Sequence, residues 1–280
     1  MKIKHLLCFI ALCLFFTPGK AQQLSVMTLR NGATVYIWED KSKPDVFGMI
    51  AFKVGSVDDP EQYTGLAHYL EHVMFKGTQT IDALDWEKEK PIYEKIIAKY
   101  DERAALSDPA AREAVDKEIN DLTREAAQYA AGNEFSLLVD HMGGQGLNAS
   151  TGYDQTEYHN SFPPSQLEKW LEIYSERLID PVFRGFQTEL EAVYEEYNMY
   201  NDDRGSRMRE FIYEQAFGDH PYARPIIGLP EHLKNPQLSK LIDFYNTWYC
   251  PQNMSIILVG NIDAKEAIPM IRDKFERVPR

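Results

Sequence analysis

At 280 residues, 44% hydrophobic and 26% charged, the chain can bury one large core, and three cysteines in all exclude a disulfide-stapled miniature scaffold. Forty-three acidic residues against 30 basic ones leave a net charge of −13. That balance argues against nucleic acid or an anionic membrane surface as the main partner.

Lys2 and Lys4 precede an apolar run from Leu6 to Phe16, and Gly19 and Ala21 stand three and one residues before a candidate cleavage point. The pattern predicts a secretory signal peptide over residues 1–21, since a membrane span needs about 20 apolar residues. Export, to the bacterial periplasm, is the implied localisation. Cys8 and Cys13 leave with the leader, so the exported part, 22–280, keeps Cys250 alone and forms no internal disulfide. No stable membrane span is expected after signal removal.

Strand signals run from Leu24 to Leu29 and from Thr34 to Trp38 about an Asn31-Gly32 turn, a hairpin signature, and a third run covers Val46 to Val54. From Thr64 to Phe75 the alternation gives way to helical spacing, with Leu66, Leu70 and Val73 on one side. Residues 84–129 are rich in Glu, Lys and Ala and free of Gly. Two apolar stripes there, one through Ile92, Ile96 and Tyr100 and one through Val115, Ile119 and Leu122, flank Ser107-Asp108-Pro109. They predict an antiparallel helical hairpin inserted into a host domain.

Beyond it the pattern predicts a helix over Asn133–Met142, a glycine turn, strands over Leu147–Thr151 and Thr156–Phe162, and helices over Ser165–Leu178 and Thr188–Tyr200. A buried strand over Met254–Val259 and a helix over Ala264–Phe275 follow. Blocks of strands and helices joined by hairpin turns predict an α+β fold, a mainly antiparallel sheet covered by helices on one face.

The chemistry centres on His68-Tyr69-Leu70-Glu71-His72. Histidines four apart on a helix share a face and suit two nitrogen ligands of a tetrahedral Zn²⁺. Glu71 lies on the same side, placed to act as a general base toward water. A catalytic zinc needs a third protein ligand and an open position, whereas a closed structural site favours several thiolates and the exported chain has a single cysteine. Taken alone, the five residues equally fit a chance pattern on a surface helix. The apolar flank and the bracketing Gly65 and Gly77 favour a cation.

The longer run Gly65-Leu66-Ala67-His68-Tyr69-Leu70-Glu71-His72-Val73-Met74-Phe75-Lys76-Gly77-Thr78 resembles the zinc-binding helix of the pitrilysin and insulinase family, the inverse zincins. Further landmarks stand in the family's order: Gly146-Leu147-Asn148-Ala149, Asp154-Gln155-Thr156-Glu157-Tyr158, Glu189 through Glu196, His220-Pro221-Tyr222 and Asn253-Met254. Together they cover nearly all of Leu24–Arg280. The resemblance implies Glu196 as third zinc ligand and Glu189 in support, on one helical face two turns apart, with Glu191 and Glu195 solvated. The spacing from His72 to Glu196 exceeds the family's usual one and returns to it once 84–129 is set aside.

The resemblance also implies that Leu147–Thr151 is an exposed sheet edge on which an extended peptide adds as a strand, with Asn148 and Ala149 as substrate contacts. His141, His159, His220 and His232 lie outside the ligand pattern and are expected to be structural. The implied activity is a zinc endopeptidase acting on peptides or unfolded proteins. Family members enclose substrate between two halves, the second contributing an Arg and a Tyr that stabilise the tetrahedral intermediate. This sequence is expected to be the first half, so a complementary half, from the same gene product or a partner chain, or a homodimer, is the implied partner. A non-catalytic peptide-binding or scaffold subunit of the same fold is the alternative. The intact ligand set favours the peptidase.

Overall fold

The computed structural model describes residues 23–280, so the predicted leader lies outside the described residues. Strands β1 (Gln23–Thr28) and β2 (Thr34–Glu39) pair antiparallel about the Asn31-Gly32 turn, where Gly32 takes a φ of +104°. The Asn31 amide donates to the carbonyls of Phe275 and Val278, docking this turn on the far end of the chain. Four further strands complete the sheet: β3 (Val46–Phe52), β4 (Gln145–Thr151), β5 (Thr156–Phe162) and β6 (Met254–Gly260). Their order is β1-β2-β6-β3-β5-β4, and β2–β6 is the one parallel pairing among the described residues.

Alternate residues of the strands enter the core: Val46, Ile50 and Phe52 on β3, Tyr158 and Phe162 on β5, Ile256 and Leu258 on β6. Each such aliphatic or aromatic side chain contributes about 1.5–3 kcal/mol on burial. At Gly48 a Cβ would collide with the Trp170 ring, so glycine there lets a helix lie directly on the sheet. Helices cover this face: α1 (Leu66–Val73), α4 (Glu134–His141), α5 (Leu167–Glu176), α9 (Leu238–Trp248) and α10 (Ala264–Phe275). The other face carries Leu24, Val26, Tyr36, Trp38 and Val259, all at least 36% exposed.

Helices α2 (Trp86–Ala105) and α3 (Pro109–Ala126) form the hairpin, with Asp108 capping α3 through the Ala111 N–H. Ion pairs Lys99–Glu118 and Arg103–Asp116 match antiparallel packing. Helices α6 (Phe186–Asp202), α7 (Arg204–Phe217) and the single turn α8 (Pro230–Leu233) lie between α5 and α9. Among the described residues no helix is long and apolar enough to cross a membrane.

The entry to α1 is built by Asp59, a buried residue whose carboxylate accepts from the Gly65 and Ala67 N–H groups at 2.7 and 2.8 Å. Burial pushes this carboxyl up to about 7, against the pull of those two bonds. Gly65 takes a φ of +89° and has no room for a Cβ against the Ile227 carbonyl. Asp59→Ala leaves two donors of the first turn unpaired and is expected to cost about 1–2 kcal/mol, measured as a lower urea midpoint at unchanged slope.

Candidate metal centre

Helix α1 has a different task on each face. Ala67, Leu70 and Val73 are fully buried against the sheet, while His68, Glu71 and His72 line the side that opens toward α6 and β4. Helix α6 docks beside it through Val193, fully buried, and through Tyr69, whose ring packs 4.8 Å from Phe186 and whose hydroxyl donates to the Phe186 carbonyl. That docking brings Glu189 and Glu196, two turns apart, to the histidines.

Glu196 Oε2 stands 3.6 Å from His68 Nε2 and 3.5 Å from His72 Nε2. The three donor atoms lie within 4.8 Å of one another. A tetrahedral zinc with bonds of about 2.0–2.1 Å spaces its donors by about 3.4 Å. The two nitrogens and one carboxylate oxygen therefore fit such an ion. Glu189 Oε2 meets the other ring nitrogen of His72, Nδ1, at 3.5 Å, and Lys76 Nζ holds Glu189 Oε1 at 2.5 Å. Nδ1 of His68 is buried without a hydrogen-bond partner among the described residues.

The same contacts set the proton affinities of the group. Burial, reinforced by the neighbouring His72, pulls His68 down to about 4. Burial also draws His72 down, but its hydrogen bonds to Glu189 and Glu196 outweigh this and push it up to about 9. Those bonds in turn hold Glu189 and Glu196 below the usual carboxylate range. Glu71 is raised by burial despite the hydroxyl of Thr151, which donates to its Oε2 at 2.5 Å. Three carboxylates thus converge on two imidazoles and one ammonium group, an arrangement that attracts a cation.

Opposite the helices, Asn148 to Thr151 of β4 form the other wall of a cavity of about 540 Å³ that also includes Phe75 and Tyr200. Strand β4 pairs with β5 on one side and ends the sheet on the other, with a register shift between Gln145 and Asn148. Ala149 and Thr151 face inward and Asn148 and Ser150 are exposed. All seven residues singled out from the sequence, His68, Glu71, His72, Asn148, Ala149, Glu189 and Glu196, meet in this cavity. Glu191 and Glu195 are exposed. His232 is satisfied by the Thr64 N–H and hydroxyl, and His220 accepts from the Tyr222 N–H.

Three contributors were missed in the sequence. Lys76 stands four residues after His72 and Tyr200, which hydrogen-bonds Glu196, stands four after that residue, spacings that would have found both. Thr151 carries no such signal, because its link to Glu71 bridges 80 residues.

Both the sequence and the fold have counterparts among known proteins. A profile described as Insulinase (Peptidase family M16) matches residues 34–90 and 120–229, and one described as Peptidase M16 inactive domain matches residues 237–280. The probable zinc protease PqqL of Escherichia coli (strain K12) is 25% identical over 270 residues, which cover 92% of this chain and 23% of that protein. Zinc protease PqqE of Helicobacter pylori is 24% identical over 254 residues, covering 89% and 46%. The chain thus spans less than half the length of these curated relatives. The crystal structure of a protease from Helicobacter pylori shares the fold with a TM-score of 0.71 at 22% identity, covering 92% of this chain and 51% of that one. The first half of the periplasmic protease PqqL from Escherichia coli matches with a TM-score of 0.68 at 25% identity, covering 92% and 47%. With the first profile alone covering more than half of its residues, the chain belongs to the insulinase family, peptidase family M16.

Proposed function

We propose that the chain is the metal-bearing half of an exported zinc endopeptidase, with His68, His72 and Glu196 as ligands and Glu71 as general base. The observation that carries this reading is the convergence of two Nε2 atoms and one carboxylate oxygen at separations of 3.5 and 3.6 Å. Zinc bound there supplies Lewis acidity and lowers the pKa of water to about 7. Glu189 orients His72 through Nδ1 and fixes which nitrogen faces the ion. Glu71, buried and held by Thr151, takes a proton from attacking water and returns it to the departing amine. The free edge of β4 pairs with an extended peptide, whose backbone Asn148 and Ala149 meet beside the ligands.

Three features support the finer points. The stretch between the matched segments, 91–119, falls within the hairpin and supports its reading as an insertion. The predicted leader, with a relative described as periplasmic, supports export to the periplasm. The short span relative to its relatives supports a complementary half, supplied by the same gene product or by a partner chain, that closes the cleft over substrate.

A fluorogenic unstructured peptide tests the reading. Zinc-loaded 22–280 alone is expected to cleave it feebly, because missing oxyanion donors typically cost on the order of 10²–10³ in rate. Adding the complementary half is expected to restore that factor at unchanged zinc content, and chelation to abolish it. Zinc-loaded protein that binds peptide but never cleaves it, with or without that half, would instead establish the scaffold role.

A further inference from the structure

Glu189 has two oxygens and two partners. Oε2 serves His72 Nδ1, while Oε1 is taken by Lys76 Nζ at 2.5 Å. A carboxylate bonded only through Oε2 can turn about its last torsion, so the ammonium group limits how His72 is held. Lys76 is itself anchored through its backbone. Its carbonyl accepts from Arg184 Nη1 at 3.2 Å, and the same nitrogen reaches the Ile81 carbonyl at 3.5 Å. The loop between them is tight: the Thr78 N–H donates to the Ile81 carbonyl, and at Gly77, with a φ of +88°, a Cβ would clash with that carbonyl. The other side of the Arg184 guanidinium forks onto Glu89, Nε to Oε1 at 2.6 Å and Nη2 to Oε2 at 2.8 Å. Glu89 is 1% exposed and sits in the first turn of α2, at the foot of the helical hairpin.

We propose that Lys76 is a positioning residue for the metal centre, and that the foot of the hairpin sets it through Glu89 and Arg184. The chain of contacts runs from Glu89 to Arg184, to the Lys76 carbonyl, along the Lys76 side chain to Glu189 and so to His72. This rests on the zinc reading above. A simpler role is available for each pair: a partly exposed ion pair worth little, and a buried fork that only staples the hairpin. The two accounts differ in metal affinity, which a staple leaves alone.

Zinc affinity of the exported chain, read by competition with a chromophoric chelator, decides between them. Lys76→Met is expected to weaken zinc about 10- to 100-fold at unchanged circular dichroism, the usual effect of losing an outer partner of a ligand, and Lys76→Arg to recover part of it. Arg184→Lys keeps a charge against Glu89 but lacks the fork that also reaches the Lys76 carbonyl. It is expected to weaken zinc about 2- to 30-fold, with little further loss when combined with Lys76→Met. Wild-type affinity in Lys76→Met overturns the proposal, and full additivity of the two variants overturns the link to the hairpin. Absence of zinc from the wild-type protein would instead sink the metal reading itself.

Discussion

Glu71→Gln is expected to retain one zinc per chain and to lose peptide cleavage by at least about a hundredfold, the lower end of what general base catalysis supplies. The substitution is nearly isosteric. A glutamine carbonyl can still accept from the Thr151 hydroxyl, so the side chain keeps its place against β4 while losing the ability to hold a proton. Burial already raises the Glu71 carboxyl, which brings its proton affinity nearer that of the groups it exchanges with. Cleavage measured with the complementary half present, beside zinc determined by elemental analysis, separates chemistry from metal binding. Equal rates for the two proteins would reject Glu71 as base.

His72→Ala is expected to take zinc from one per chain to a small fraction of that. His72 is the most connected of the three proposed ligands, meeting Glu196 at one nitrogen and Glu189 at the other, so its loss removes a donor and a partner of both carboxylates. Losing one of three protein ligands greatly weakens a site of this kind. Elemental analysis after dialysis against metal-free buffer gives the reading. Stoichiometric zinc in His72→Ala would overturn the ligand set.

The parts of the molecule legible in the sequence are those whose signal is local. The β1–β2 hairpin follows from two apolar runs about Asn31-Gly32, and α1 from its apolar spacing, although the helix itself is Leu66–Val73 within the expected Thr64–Phe75. The hairpin α2–α3 lies within the expected 84–129. Helix α7 escaped because Met208, Phe211 and Ile212 are exposed, so its apolar residues do not mark a buried stripe. Helix α9 was not predicted either, although it does carry a readable stripe, Leu238, Leu241, Phe244 and Tyr245. The neighbour of β2 was illegible for another reason: a pairing between residues 34–39 and 255–260 leaves no trace in either segment. Thr151 and Arg177 belong to the same class. Arg177 is buried among Phe75, Phe135, Tyr158 and Tyr174 with its guanidinium bonded to the Met74 carbonyl, and nothing near it in sequence announces that cage.

The position of β6 bears on how the chain comes to be folded at all. Residues 254–260 form the last strand of the described residues, yet they lie in the middle of the sheet, with β2 on one side and β3 on the other. Without them, β1–β2 and the β3–β5–β4 group share no pairing, because β2 and β3 are joined only through β6. Closure then waits on contacts separated by some two hundred residues, which makes the central step slow and non-local. A nascent chain of this topology stays open to chaperones, and to its own aggregation, until residues 254–260 have been made.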